Sequence, residues 1–161
     1  MRAALLSVVL LLGVAPPALA APAISEVRVS IGPELAKTVD DIGARDLDIL
    51  TAELRRSVER KTPPRPGGGT LTLVIEDAKP NRPTPQQMFN TPGLSLDSFS
   101  IGGARISGAY VDVAGQRTPI AYSWYENDIR WARHGSTWHD AEVAFDRLAD
   151  RLAKDQYSDK R

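Results

Sequence analysis

The sequence predicts an α+β domain in the order β-α-β-β-β-α, with a mainly antiparallel sheet and two helices packed on one face. Three observations lead there. Four short segments alternate apolar and polar residues, two longer ones carry apolar residues every three or four positions, and clusters of glycine and proline separate them.

The chain opens with MRAALLSVVLLLGVAPPALA, where Arg2, the apolar run Ala3 to Val14 and the small-residue triplet Ala18-Leu19-Ala20 form the pattern of a secretory signal peptide. The run is shorter than the roughly 20 apolar residues a membrane span needs, and Pro16 and Pro17 interrupt any helix before the cleavage point. Cleavage is expected after Ala20, leaving residues 21–161 as a single domain with no transmembrane segment.

The first strand is ISEVRVSI, with Ile24, Val27, Val29 and Ile31 in a largely alternating pattern that Gly32-Pro33 ends. A helix is expected from about Asp46 to Lys61, because Leu47, Leu50, Leu54 and Val58 form one apolar stripe. Asp46 and Asp48 lie at its positive end and Arg55, Arg56, Arg60 and Lys61 at its negative end, so both aspartates read as solvated charges that complement the helix dipole. Pro63, Pro64, Pro66 and Gly67 to Gly69 then make a connector. It is no phosphate loop, since it precedes a strand and lacks the Gly-Lys-Ser/Thr ending.

TLTLVIEDA is the second strand. The residues after it, 80–101, contain four prolines and no sustained period, a loop of about twenty residues that is long for a compact domain. Its apolar Met88, Phe89, Leu94, Leu96 and Phe99 are expected to cover a sheet edge, with lining a groove as the alternative. A hairpin follows, with strands from about Ala104 to Val113 and Thr118 to Glu126 around Ala114-Gly115-Gln116. The last element is a helix ending near Lys154, with Ala141, Phe145, Leu148 and Leu152 on one stripe.

Taking Arg2 away with the leader leaves 19 basic against 20 acidic residues, a balance that gives no basic face for nucleic acid. The absence of cysteine excludes disulfides, thiolate catalysis and cysteine-ligated metal. Arginine outnumbers lysine 15 to 5, which together with the leader favours the periplasm of a Gram-negative bacterium.

The element order, the SIGGARISGAYVDVAGQ strand and turn, and the STWHDAEVAFDRLADRLAK closing helix resemble small envelope domains of proteobacteria. These include families of unknown function and β-α-β domains of envelope lipoproteins that assist transport or assembly systems. The resemblance spans most of residues 21–161 and implies partner binding without catalysis. The chain departs from the lipoprotein members in having no cysteine to carry a lipid, and the resemblance supplies no active-site residue.

The one cluster of versatile side chains is RHGSTWHDAE, Arg133 to Glu142, which holds both histidines. His134 and His139 are five apart, whereas two ligands on one helical face need a spacing of three or four, so no metal and no cofactor is expected there. A helix entrance accounts for the same residues, with Thr137 or Ser136 as N-cap and Asp140 completing a capping-box-like arrangement. There is no GxSxG, Ser-x-x-Lys or cysteine nucleophile.

All three tryptophans fall between Trp124 and Trp138, and aromatic and arginine residues are the usual anchors of interfaces. The candidate partner surface is Tyr125, Asp128, Arg130, Trp131, Arg133 and His134. The leading expectation is an exported, non-enzymatic domain that binds an envelope partner. One alternative is a small hydrolase or metal-dependent enzyme using His134, His139 and nearby acids; another is a small-ligand or glycan carrier with the Phe89 to Phe99 loop as its lid.

Overall fold

The computed structural model describes residues 23–132 and 135–157. The expected leader, residues 1–20, and two of the surface candidates, Arg133 and His134, lie outside the described residues.

The strands are β1 (Ile24–Ile31), β2 (Gly69–Lys79), β3 (Gly103–Val111) and β4 (Arg117–Tyr125), hydrogen-bonded in the order β1-β2-β3-β4. β1 and β2 are parallel, while the other two pairs are antiparallel, so the sheet is mixed. Between β1 and β2 come α1 (Pro33–Ala36), α2 (Val39–Ile42) and α3 (Ala44–Lys61). α4 (Pro85–Asn90) precedes β3, and α5 (Ile129–Ala132) and α6 (His139–Leu152) follow β4.

This corrects the expected β-α-β-β-β-α order with two helices. The described residues hold six helices among the four strands. The four additional helices are only four to six residues long, too short for a 3.6-residue period to register in the sequence. They are fixed by tertiary contact instead: Leu35 of α1 and Ile42 of α2 enter the core, and α4 is tied to α2 by Gln87 Nε2 donating to Asp41 (3.1 Å) and Asn90 Nδ2 to the Asp40 carbonyl (2.7 Å). The parallel pairing of β1 with β2 follows from the long helical crossover between them, a connection that antiparallel neighbours do not need.

The two long helices occupy the face expected of them. Leu50, Leu54 and Val58 of α3, Leu71, Leu73 and Ile75 of β2, and Phe145, Leu148 and Leu152 of α6 are almost wholly buried in one core. α6 also lays arginines over the aromatic residues of β4, with the Arg147 guanidinium 4.2 Å from the Trp124 ring centroid and that of Arg151 5.4 Å from Tyr122. The edge of β4 is partly occupied, since Ala121 donates its N–H to the Tyr157 carbonyl (3.3 Å). Pro119 sits two residues earlier on this edge strand, where its missing donor costs no ladder bond.

The hairpin turn is held by Asp112, whose carboxylate accepts the N–H groups of Ala114 (2.9 Å) and Gln116 (2.8 Å).

Candidate binding surface

At the base of the 80–101 segment lies a buried polar hub. Asn81 is fully buried. Its Nδ2 donates to Asp140 Oδ2 (2.6 Å) and to the Ser100 carbonyl (3.2 Å), and its Oδ1 accepts the Asp140 N–H (2.8 Å). Its backbone donates to the Thr137 carbonyl (2.7 Å) and accepts from Ser100 N–H (2.8 Å). Asp140 Oδ2 also takes the Gly102 N–H at 2.8 Å. Gly102 must be glycine here, because a Cβ would come within 2.6 Å of the Lys79 carbonyl and 2.9 Å of Asn81 Oδ1. One buried side chain therefore joins the two ends of the loop to the first turn of α6.

This overturns the expected helix entrance. The N-cap of α6 is Trp138, with no side-chain cap of its own, and the helix amide of Asp140 is satisfied by Asn81, 59 residues earlier. Asp140 is committed to Asn81 and Gly102 and forms no capping box with Thr137. The capping box lies elsewhere: Thr84 accepts the Gln87 N–H (3.2 Å) while Gln87 Oε1 accepts the Thr84 N–H (3.1 Å), starting α4. Asp46 likewise departs from its expected solvated role. It is buried and accepts the Trp138 Nε1–H at 2.8 Å, joining α3 to α6.

Arg82 bridges the loop and the segment after α5, with Nε donating to the Gly135 carbonyl (2.9 Å) and a terminal nitrogen to the Leu96 carbonyl. The loop so held does not cover a sheet edge with its apolar side chains. Phe89, Leu94, Leu96, Phe99 and Ile101 are exposed, as are Ile129 and Trp131 of α5. These are seven of the ten exposed large apolar side chains among the described residues, so exposure is concentrated in two short segments. Phe89 at 85%, Trp131 at 68% and Leu96 at 62% stand furthest into solvent. Leu94, Phe99 and Ile101 instead line a groove of about 470 Å³, together with Lys79, Pro80, Arg82 and Pro83.

Of the expected surface residues that are described, Trp131 and Arg130 are exposed, and Trp131 is the apolar one. Asp128 and Arg130 pair with each other through two bonds to Nε (2.9 and 3.0 Å), and the guanidinium holds the Asp128 carboxyl below its ordinary range. Tyr125 is half-buried, and its hydroxyl donates to Asp77; burial first, and this carboxylate second, push the phenol well above its ordinary value. The Lys79 ammonium rests over the Tyr125 ring, 5.4 Å from its centroid.

His139 opens α6 and is exposed, close against Gly135. Groups of three or more metal-ligating side chains are not found among the described residues. A second groove of about 330 Å³ is lined by Arg45, Asp46, Trp138 and Glu142. Glu142 is pushed above the ordinary carboxyl range, mainly by burial and then by the Glu53 carboxylate, with His139 opposing and Asp146 adding to the shift.

Sequence reading missed Asn81 and Lys79, whereas the close approach of another element that the missing side chain of Gly102 suggests is what the structure holds there. A usable signal existed for α4 alone, in Thr84-Pro85-Gln86-Gln87, where a capping-box pair flanks a proline at the first helical position. No helix among the described residues is long and apolar enough to cross a membrane. Comparison of the chain with protein-family models and with curated proteins gave no match. The likeness to proteobacterial envelope domains thus stands on sequence pattern alone.

Proposed function

We propose that this chain is an exported, non-enzymatic domain of the bacterial envelope that binds a protein partner through α5 and the tip of the 91–101 loop. The observation that carries the reading is the exposure of Trp131 and Ile129 on α5 and of Leu96 on the loop, whose backbone Arg82 ties to Gly135, beyond the end of α5. Exposed apolar side chains contribute nothing to folding and favour association, so a surface that concentrates them fits one that is covered in use. Trp131 has the size and the polar edge of an interface anchor. Export is supported by the leader pattern of residues 1–20.

The test is in-cell photocrosslinking from position 131, with position 72 on β2 as the control, a site exposed on the sheet. The expected result is one discrete adduct from 131 with an envelope protein, lost in the Leu96→Glu variant. The same crosslinking pattern from 131 and 72 refutes the assignment.

A further inference from the structure

The groove between Lys79 and Ile101 carries an assignment that does not rest on the partner reading, since Trp131, Ile129 and Leu96 do not line it. We propose that it binds an anionic amphiphile, a single acyl chain with a carboxylate headgroup. The chain lies along Leu94, Phe99 and Ile101, and the headgroup sits at Lys79.

Three features lead to this chemistry. The groove has the volume of an ordinary small-molecule site, about 470 Å³ against roughly 300–1,000 Å³, and Leu94, Phe99, Ile101, Pro80 and Pro83 give it an apolar lining. Its charge has one sign: Lys79 and Arg82 line it, and none of the described residues lining it is acidic. The nearby Asp77 is engaged by the Tyr125 hydroxyl, and Arg82 already donates to two carbonyls; Lys79 lines the groove, pairs with no carboxylate among the described residues, and is the cation that a bound headgroup would draw from its rest over the Tyr125 ring.

The third feature decides between an acyl chain and a peptide. A bound peptide needs main-chain donors, and most of the groove's N–H groups are absent or already used. Pro80 and Pro83 have no N–H. The N–H groups of Asn81, Leu94, Ser98 and Ser100 are donated to the carbonyls of Thr137, Thr91, Ser95 and Asn81. The Pro80 carbonyl accepts Ser100 Oγ at 2.9 Å. An acyl chain asks for none of these groups, so it loses nothing by their absence.

Calorimetric titration of the purified chain with dodecanoate, below its micelle-forming concentration, tests the assignment. Binding at one site is expected. Lys79→Gln should weaken it roughly threefold, as should giving the wild type a dodecyl maltoside in place of dodecanoate. Ile101→Glu should weaken it by at least about tenfold, with circular dichroism confirming that the variant folds and Phe99→Ser as the second variant. Three results overturn the assignment: no dodecanoate binding, binding that Lys79→Gln and Phe99→Ser leave unchanged, or tighter binding of an apolar pentapeptide with a free carboxylate. Because the titration contains no protein partner, its failure is separate from failure of the crosslinking experiment.

Discussion

Replacing Asn81 by alanine should be among the most damaging single changes in this domain, although the residue is polar and sits at the start of a loop. The Asn81→Ala chain keeps the two backbone bonds to Thr137 and Ser100 but loses all three side-chain bonds. The Asp140 N–H is left buried without its acceptor, which costs about 1–3 kcal/mol, and the Asp140 carboxylate loses one of two donors, worth about 1.5–3 kcal/mol. A total of roughly 2.5–6 kcal/mol is expected. Thr137→Ala provides the contrast. A local cap at Thr137 would make its loss cost about 1 kcal/mol, whereas the observed N-terminus of α6 uses no such cap and implies a change within about 0.5 kcal/mol. Urea unfolding followed by circular dichroism, with equal m-values required for the comparison, measures both. The reasoning is refuted if Asn81→Ala loses less than about 1 kcal/mol or if Thr137→Ala loses more than Asn81→Ala.

Trp138→Phe removes the donor to buried Asp46 together with part of a buried ring, so it should cost at least about 1–3 kcal/mol by the same unfolding assay; no loss would show that the bond contributes little. Glu142 gives a pH test. Its raised carboxyl pKa means that the folded chain holds the proton more tightly than the unfolded chain, so this contribution is complete below the ordinary carboxyl range and is lost as pH rises through the raised value. Glu142→Gln should therefore gain in melting temperature relative to wild type on going from about pH 4 to about pH 7, and a constant difference contradicts the shift. Amide exchange should be slow at Ser100, Gly102 and Asp140 and fast at Gly93 and Leu96; uniform protection through the loop would contradict a restraint concentrated at its margins.

The parts of the fold that were legible in the sequence are those in which long stretches repeat one period. The stripe Leu47, Leu50, Leu54, Val58 and the stripe Ala141, Phe145, Leu148, Leu152 are buried as their spacing implies, and the four strands fall where the alternation put them. What was illegible is whatever depends on contacts between distant residues. Asp46 and Asp140 each read as local helix-end charges, because helix-end statistics describe neighbours in sequence. Each is instead consumed by a partner far along the chain, Trp138 and Asn81. The surface was legible in part for the same reason. Trp131 could be singled out by type, but the pairing of Asp128 with Arg130 and the turn of Tyr125 toward Asp77 depend on conformation.

The polar hub and the apolar display are connected by energetics. Residues 91–97 are exposed throughout, so fixing them costs on the order of 1–2 kcal/mol of backbone entropy per residue, with little apolar burial in return. The restraint comes from polar groups at the margins: Asn81 and Asp140 at both ends, Arg82 at the Leu96 carbonyl, and the Thr84 capping box with its links from α4 to α2. None of these bonds requires Phe89, Leu96 or Trp131 to be apolar, and polar residues at such exposed positions would fold equally well while lowering the tendency to associate. A frame that holds an otherwise unprofitable loop, and side chains on that loop that do not serve the frame, together make sense as a presented surface. The same frame shapes the groove, since Asn81 and Ser100 line it. Disturbing Asn81 should therefore impair partner capture and acyl binding together, whereas Leu96 and Ile101 separate the two.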